Sequence, residues 1–138
     1  MIAILDFGTN TFNLLIAEKL KQSFKIIHSS KQPAKLGKGG IQHKRISRDA
    51  FQRGFLAIGN HMETIRQFDV SEIRAFATSA IRNASNGQEF VDEVQRRFGF
   101  RVRVIPGERE AELIFKGVRQ SVDLDERKAM ILDIGGGS

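Results

Sequence analysis

The chain contains no cysteine, no tryptophan and no tyrosine, and each absence removes a class of function. Without thiols there is neither a disulfide framework nor a thiolate metal site, which fits a reducing compartment. Without Trp or Tyr, two of the side chains that stack nucleobases are missing. The 11 Phe residues fall mostly at core-like spacings. No helix-turn-helix or single-strand platform signature is visible, so nucleic acid is not an expected partner. No apolar run approaches a membrane span, and Met1 enters an apolar run with no basic leader, so no membrane partner is expected and the location is read as cytoplasmic. His28, His43 and His61 lack metal-ligand spacing, and the Walker pattern Gly-x₄-Gly-Lys-Ser/Thr is absent. Acidic side chains are the minority, 16 Asp and Glu against 22 Lys and Arg, a formal charge of +6. That excess marks either a solvated basic surface or a polyanionic ligand, and the missing base-stacking residues favour phosphate over nucleobase.

What is present is a pattern used twice. Ile2 to Leu5 runs into Asp6-Phe7-Gly8-Thr9-Asn10-Thr11, and Met130 to Leu132 runs into Asp133-Ile134-Gly135-Gly136-Gly137-Ser138. Each copy has a carboxylate at a strand end for a metal, glycines that admit backbone N–H groups to an anion, and hydroxyls to complete a cradle. A single Asp-x-Gly is also an ordinary tight turn. Two matching copies suggest a phosphate gripped between two related lobes, with Mg²⁺ held by Asp6 and Asp133.

The 138 residues, 41% of them apolar, suit one compact domain. Apolar runs predict strands over 1–5, 12–17, 24–29, 73–77, 102–105 and 129–133, the first two joined as a hairpin through Gly8 to Thr11. The basic, glycine-rich stretch 31–42 reads as a flexible loop. Ser47 is a candidate N-cap for a helix to about Phe68, with Phe51, Phe55, Ile58, Met62 and Ile65 as its apolar stripe. Asn86 and Glu89 resemble a capping box opening a helix that Gly99 stops, and a further helix is expected over 107–120. Strands with hairpin connections followed by alternating strands and helices predict an α/β fold, its sheet antiparallel first and parallel after. The polar stretch 120–128 reads as a linker. Residues 1–121 are expected to form a first lobe. Residues 122–138 would be the linker, first strand and phosphate loop of a second, so the chain is read as the front part of a longer protein.

Three further segments could carry chemistry. On the 107–120 helix, Ala111, Ile114, Phe115 and Val118 share one arc, bordered by Glu108 on one side and Glu110 on the other. Glu110 has Leu113 and Gly117 beyond it, a partly desolvated setting that raises proton affinity and suits a general base. It is equally an edge carboxylate favoured by the helix dipole. Ala77-Thr78-Ser79-Ala80-Ile81-Arg82 ends a strand before a helical turn, where Arg82, four residues before Asn86, is either a phosphate clamp or a solvated cation. Lys35 and Lys38 on the glycine-rich loop are a polyanion contact or a plain surface feature.

Taken together, Asp6 to Thr11, Lys35-Leu36-Gly37, Ala77 to Arg82 with Asn86, Gly107-Glu108-Arg109-Glu110-Ala111 and Asp133 to Ser138 resemble the exopolyphosphatase/guanosine pentaphosphate phosphohydrolase (Ppx/GppA) family. That family lies within the actin-like, sugar kinase and Hsp70 superfamily. The two end loops mark the superfamily; the Ala-Thr-Ser-Ala-x-Arg and Glu-Ala stretches mark the phosphatase branch. The resemblance implies a ribonuclease H-like (actin-like ATPase) first lobe, a similar second lobe, and Mg²⁺-dependent hydrolysis of a terminal phosphoanhydride in polyphosphate or guanosine pentaphosphate. It makes Glu110 the base, Asp133 the metal or water ligand, and Thr9, Asn10, Arg82, Gly136 and Ser138 phosphate holders, with Lys35 where arginine is common and Thr9 where serine is common. A homodimer is compatible with it. An actin-like ATPase or sugar kinase would share both end loops, and a non-enzymatic sensor of polyphosphate or alarmone would share the fold.

Overall fold

The computed structural model describes residues 1–21, 23–39, 44–122 and 130–136. Its element order is β1 (Ile2–Phe7), β2 (Thr11–Lys19), β3 (Phe24–Pro33), α1 (Arg48–Ile65), β4 (Glu72–Ala77), α2 (Ser79–Arg82), α3 (Gly87–Phe98), β5 (Val102–Val104) and α4 (Gly107–Ser121). One five-stranded sheet has the order β3-β2-β1-β4-β5. β1 pairs antiparallel with β2 and β2 with β3, whereas β4 runs parallel to β1 and β5 parallel to β4. The expected mixed α/β sheet, antiparallel and then parallel, is the one observed.

Alternation sets the two faces. Ala3, Leu5 and Phe7 of β1 and Phe12, Leu14 and Ile16 of β2 are buried, and α1 and α3 cover that side. Phe90 of α3 is the centre of this packing, stacked on Phe55 and edge-on to Phe51 and Phe12. The opposite face carries Ile4, Asp6, Asn13 and Leu15, which are only half-buried. The uninterrupted apolar run of β1 therefore does not mean burial on both sides, because the covering helices occupy one.

β3 extends to Pro33, beyond the expected 29, because β2 continues to offer partners: Asn13 lies opposite Lys31 and Thr11 opposite Pro33. A proline is tolerated there since β3 is a sheet edge. Ser47 caps α1, its hydroxyl accepting from the Ala50 N–H at 3.2 Å. α1 stops at Ile65, and the expected continuation to Phe68 is a turn.

Asn86 occupies the N-cap position of α3, but its side chain does not accept the capping-box hydrogen bond expected of it. Its side-chain amide instead pairs with the backbone of Ile46, donating to the carbonyl and accepting from the N–H, both at 2.9 Å. The exchange satisfies both backbone groups of Ile46, which lies outside any helix or strand. Gly99 ends α3 with φ 78°, as anticipated.

The expected strand at 129–133 is not formed over 130–133; residue 129 lies outside the described residues. A strand needs an edge to pair with, and this segment lies along the cleft described below, away from any ladder.

Candidate active site

β1 and β4 are parallel neighbours, so both deliver their C-terminal ends to the same rim of the sheet. Beyond β1 the chain turns tightly: the Gly8 N–H donates to the Thr11 carbonyl at 3.1 Å, and a Cβ on Gly8 would crowd that oxygen at 3.0 Å. The Thr9 carbonyl accepts from the Leu36 N–H, and the Asn10 carbonyl from those of Ala34 and Lys35. With its carbonyls tied back, the turn keeps the Thr9 and Asn10 N–H groups without backbone partners among the described residues, the arrangement an anion needs. The Thr9 hydroxyl lies 3.2 Å from that of Ser79, joining the turn to α2. Thr78 donates from both its N–H and its hydroxyl to the Phe7 carbonyl, fixing β4's end against β1.

Asp6 sits on the open face of β1, opposite Asn13, whose amide donates to its carboxylate at 2.9 Å. Burial pushes the Asp6 carboxyl above its usual range. The Asn13 hydrogen bond opposes that rise, and the nearby Glu110 and Asp133 carboxylates add to it. Three acids thus bear on one place, from β1, α4 and the 130–136 segment.

Arg82, at the end of α2, reaches across to α4. One of its terminal nitrogens donates to the Ile105 carbonyl at 2.8 Å and to Glu110 Oε2 at 3.0 Å. The pair is about three-quarters buried, with side-chain exposures of 25% and 28%. A guanidinium carries five N–H donors in a fixed fork, so holding Glu110 leaves others for a second anion. Glu110 is thus held by a cation, while Leu113 and Gly117, expected on its far side, are exposed.

The cleft bounded by these groups measures 1140 Å³. The two Asp-x-Gly turns meet at its edge: a Cβ on Gly136 would stand 2.2 Å from the Asn10 side chain. Asn13 Oδ1, beside Asp6, is buried without a hydrogen-bond partner among the described residues. An all-oxygen set of Asp6, Asp133 and that orphan acceptor fits Mg²⁺, which takes one or two carboxylates and fills its shell with waters and phosphate. Among the described residues no three His, Cys, Asp or Glu side chains enclose a metal by themselves. The fit is thus to an ion that shares its shell with a ligand.

The model of the Ppx/GppA phosphatase family matches residues 15–138. The chain belongs to that family. A solved exopolyphosphatase from Cytophaga hutchinsonii is 36% identical, with a TM-score of 0.94 over 98% of this chain and 43% of its own. An exopolyphosphatase-like protein is 32% identical, with a TM-score of 0.85 over 93% of this chain and 39% of its own. A Ppx/GppA member from Aquifex aeolicus is 29% identical, with a TM-score of 0.79 over 88% of this chain and 40% of its own. The chain thus spans about two-fifths of the length of the solved relatives it matches.

Within this Ppx/GppA lobe, Asp6, Gly8, Thr9 and Thr11 come from the first turn and line the cleft with Arg82, Glu110, Asp133 and Gly135. Asn10 and Gly136 touch at its edge, while Gly137 and Ser138 lie outside the described residues. Lys35 does not line it. Its backbone is held by Asn10 and by Arg53, which donates to the Lys35 carbonyl at 2.8 Å, and its side chain is exposed. The cation that does line the cleft beside Arg82 is Lys31, which the sequence pattern had assigned to a loop. Ser79, from the Ala77–Arg82 segment singled out above, lines the cleft as well, whereas Asn13 was passed over. For Asn13 a signal existed: closing the hairpin on Phe7 and Phe12 forces Asp6 and Asn13 to face each other.

Proposed function

We propose that this lobe is the first half of a metal-assisted phosphoanhydride hydrolase. It would release terminal phosphate from inorganic polyphosphate, from guanosine pentaphosphate or from both. In this reading residues 1–121 form the first lobe, and 122–138 lead into a second that closes the cleft. The observation that carries the reading is the Arg82–Glu110 pair, which sets a carboxylate and a phosphate-type fork side by side opposite Asp6 and Asp133.

The terminal phosphoryl group would rest on the Thr9 and Asn10 N–H groups and the Thr9 and Thr11 hydroxyls. Arg82 would hold one of its oxygens in the donors that Glu110 does not use. Glu110 accepts the proton of a water as that water's oxygen bonds to phosphorus, and the bridging P–O bond breaks, leaving the shortened chain as an anion. Asp6 and Asp133 would hold Mg²⁺, which supplies neutralisation of the charge that gathers on the phosphoryl oxygens. Positioning and charge neutralisation do most of the work in phosphoryl transfer, so a site of fixed donors with one base is sufficient.

The test is phosphate release by the full-length protein with Mg²⁺ and no ATP, on polyphosphate and guanosine pentaphosphate in parallel. Glu110→Gln should lower kcat by about 10²-fold or more, the scale of a lost general base. Release that needs ATP would move the assignment to a kinase or ATPase. Tight binding without turnover, unchanged in Glu110→Gln, would move it to a sensor.

A further inference from the structure

Lys31 takes no part in the chemistry above, yet it stands on the cleft wall. Pairing across the sheet sets Asp6, Asn13 and Lys31 in one row, each opposite the next on β1, β2 and β3. Asp6 and Asn13 share a hydrogen bond in that row, whereas the Lys31 ammonium makes no hydrogen bond or salt bridge to any described residue. Its side chain is exposed. It is also the one cation besides Arg82 among the described residues lining the cleft, and Arg82 is already engaged.

Two strand spacings separate β1 from β3, so the Lys31 backbone stands roughly 10 Å from that of Asp6. A single phosphoryl group seated between Asp6 and Glu110 does not extend that far along the row, but the phosphates that follow it in a chain do. A second groove begins at the same place. It runs over the open sheet face past Ile4, Leu15 and Ser29 and shares Asp6, Asn13 and Lys31 with the cleft. Ser29 and Lys31 are two apart on β3 and so project on the same face.

We propose that Lys31 is a binding residue for the non-terminal phosphates of a chain substrate, at the point where the cleft opens into the groove over β1–β3. The proposal rests on the hydrolase reading for the position of the terminal phosphate. It adds to that reading a residue that senses chain length: a substrate that ends near the reacting phosphate does not reach Lys31, and a longer one does.

The experiment uses the full-length protein carrying Glu110→Gln to stop turnover, titrated calorimetrically with tripolyphosphate and with long-chain polyphosphate. Lys31→Gln should weaken long-chain binding roughly five- to tenfold, as expected of one exposed charge-assisted contact, and shift tripolyphosphate less than about twofold. Lys31→Arg should restore it, and the salt dependence of long-chain binding should flatten by about one ion in Lys31→Gln. Equal losses on both ligands would mean that Lys31 contacts one of the first three phosphates and does not sense chain length beyond them, and no loss on either would mean that it is solvated surface; each overturns the proposal. Phosphate release by the protein with Glu110 intact is measured alongside. Absent release with a retained chain-length effect would sink the hydrolase reading alone, and normal release without that effect would sink this inference alone.

Discussion

At the scale of single residues, the tightest constraint outside the cleft is Gly87. A Cβ there would stand 2.0 Å from the carbonyl oxygen of Ile81, far inside contact distance. The obstacle is backbone, and the neighbouring Asn86 is locked to Ile46 by two hydrogen bonds, so the α2–α3 joint has little room to yield. Gly87→Ala should therefore lower the unfolding free energy by about 1–3 kcal/mol, the usual cost of overpacking, read as a lower urea midpoint with unchanged m value. Gly54 is a related case. Its Cβ would meet the Phe90 ring at 2.9 Å, a side chain and not backbone, though that ring is boxed in by Phe12, Phe51 and Phe55. An unchanged midpoint for Gly87→Ala would mean that the joint relaxes after all.

At the scale of elements, α1 is docked on the sheet through a buried titratable group. His61 is fully buried, with Nε2 3.0 Å from the Phe12 carbonyl and Nδ1 without a partner among the described residues. Burial holds its pKa below the usual 6.5; the Phe12 carbonyl opposes that shift, and the neighbouring His28 adds to it. The unfolded chain thus takes up this proton at a higher pH than the folded one. The stability that neutral His61 contributes is complete above about pH 6.5 and declines as pH falls toward the depressed folded value, by at most about 1.4 kcal/mol per pH unit. Urea midpoints at pH 7.5 and 5.5 should show a smaller drop in His61→Gln than in the parent; equal drops would clear His61 of the effect.

The elements also mark what the sequence made legible. The hairpin, the stripe of α1, the Gly99 stop and the sheet's change of direction were all visible, because each follows from periodicity or from a residue with one preferred conformation. β3's reach to Pro33 and the absent ladder at 130–133 were not, since pairing depends on whether a partner edge is on offer. In the cleft, Asp6, Glu110, Arg82 and Asp133 could be named from motif and resemblance. Lys31 could not, because its place comes from cross-strand register, and Lys35, named from the same basic stretch, does not line the cleft.

At the scale of the whole molecule, α4 has no buried residue, and Phe115, Met130, Leu132 and Ile134 are 46%, 90%, 75% and 82% exposed. The cleft's second wall is thus built from side chains that the five-stranded sheet and its helices do not pack. Near-attack geometry needs reacting atoms held within a few tenths of an ångström, and an open wall cannot supply that. The 138-residue chain alone should release phosphate at least roughly 100-fold more slowly than the full-length protein under identical Mg²⁺ and substrate. Comparable rates would show that one lobe suffices.

The Arg82–Glu110 bridge has a mechanical side as well. Among the described residues it is the one side-chain hydrogen bond that fastens α4 to another element, so the helix hangs on a single charged tether. Such a joint depends on the charge of its two partners, and its partial burial shields it from salt. In the proposed reading a phosphate on the remaining donors of Arg82 would share its guanidinium with Glu110. Occupancy of the cleft is therefore written into how firmly its outer helix is held.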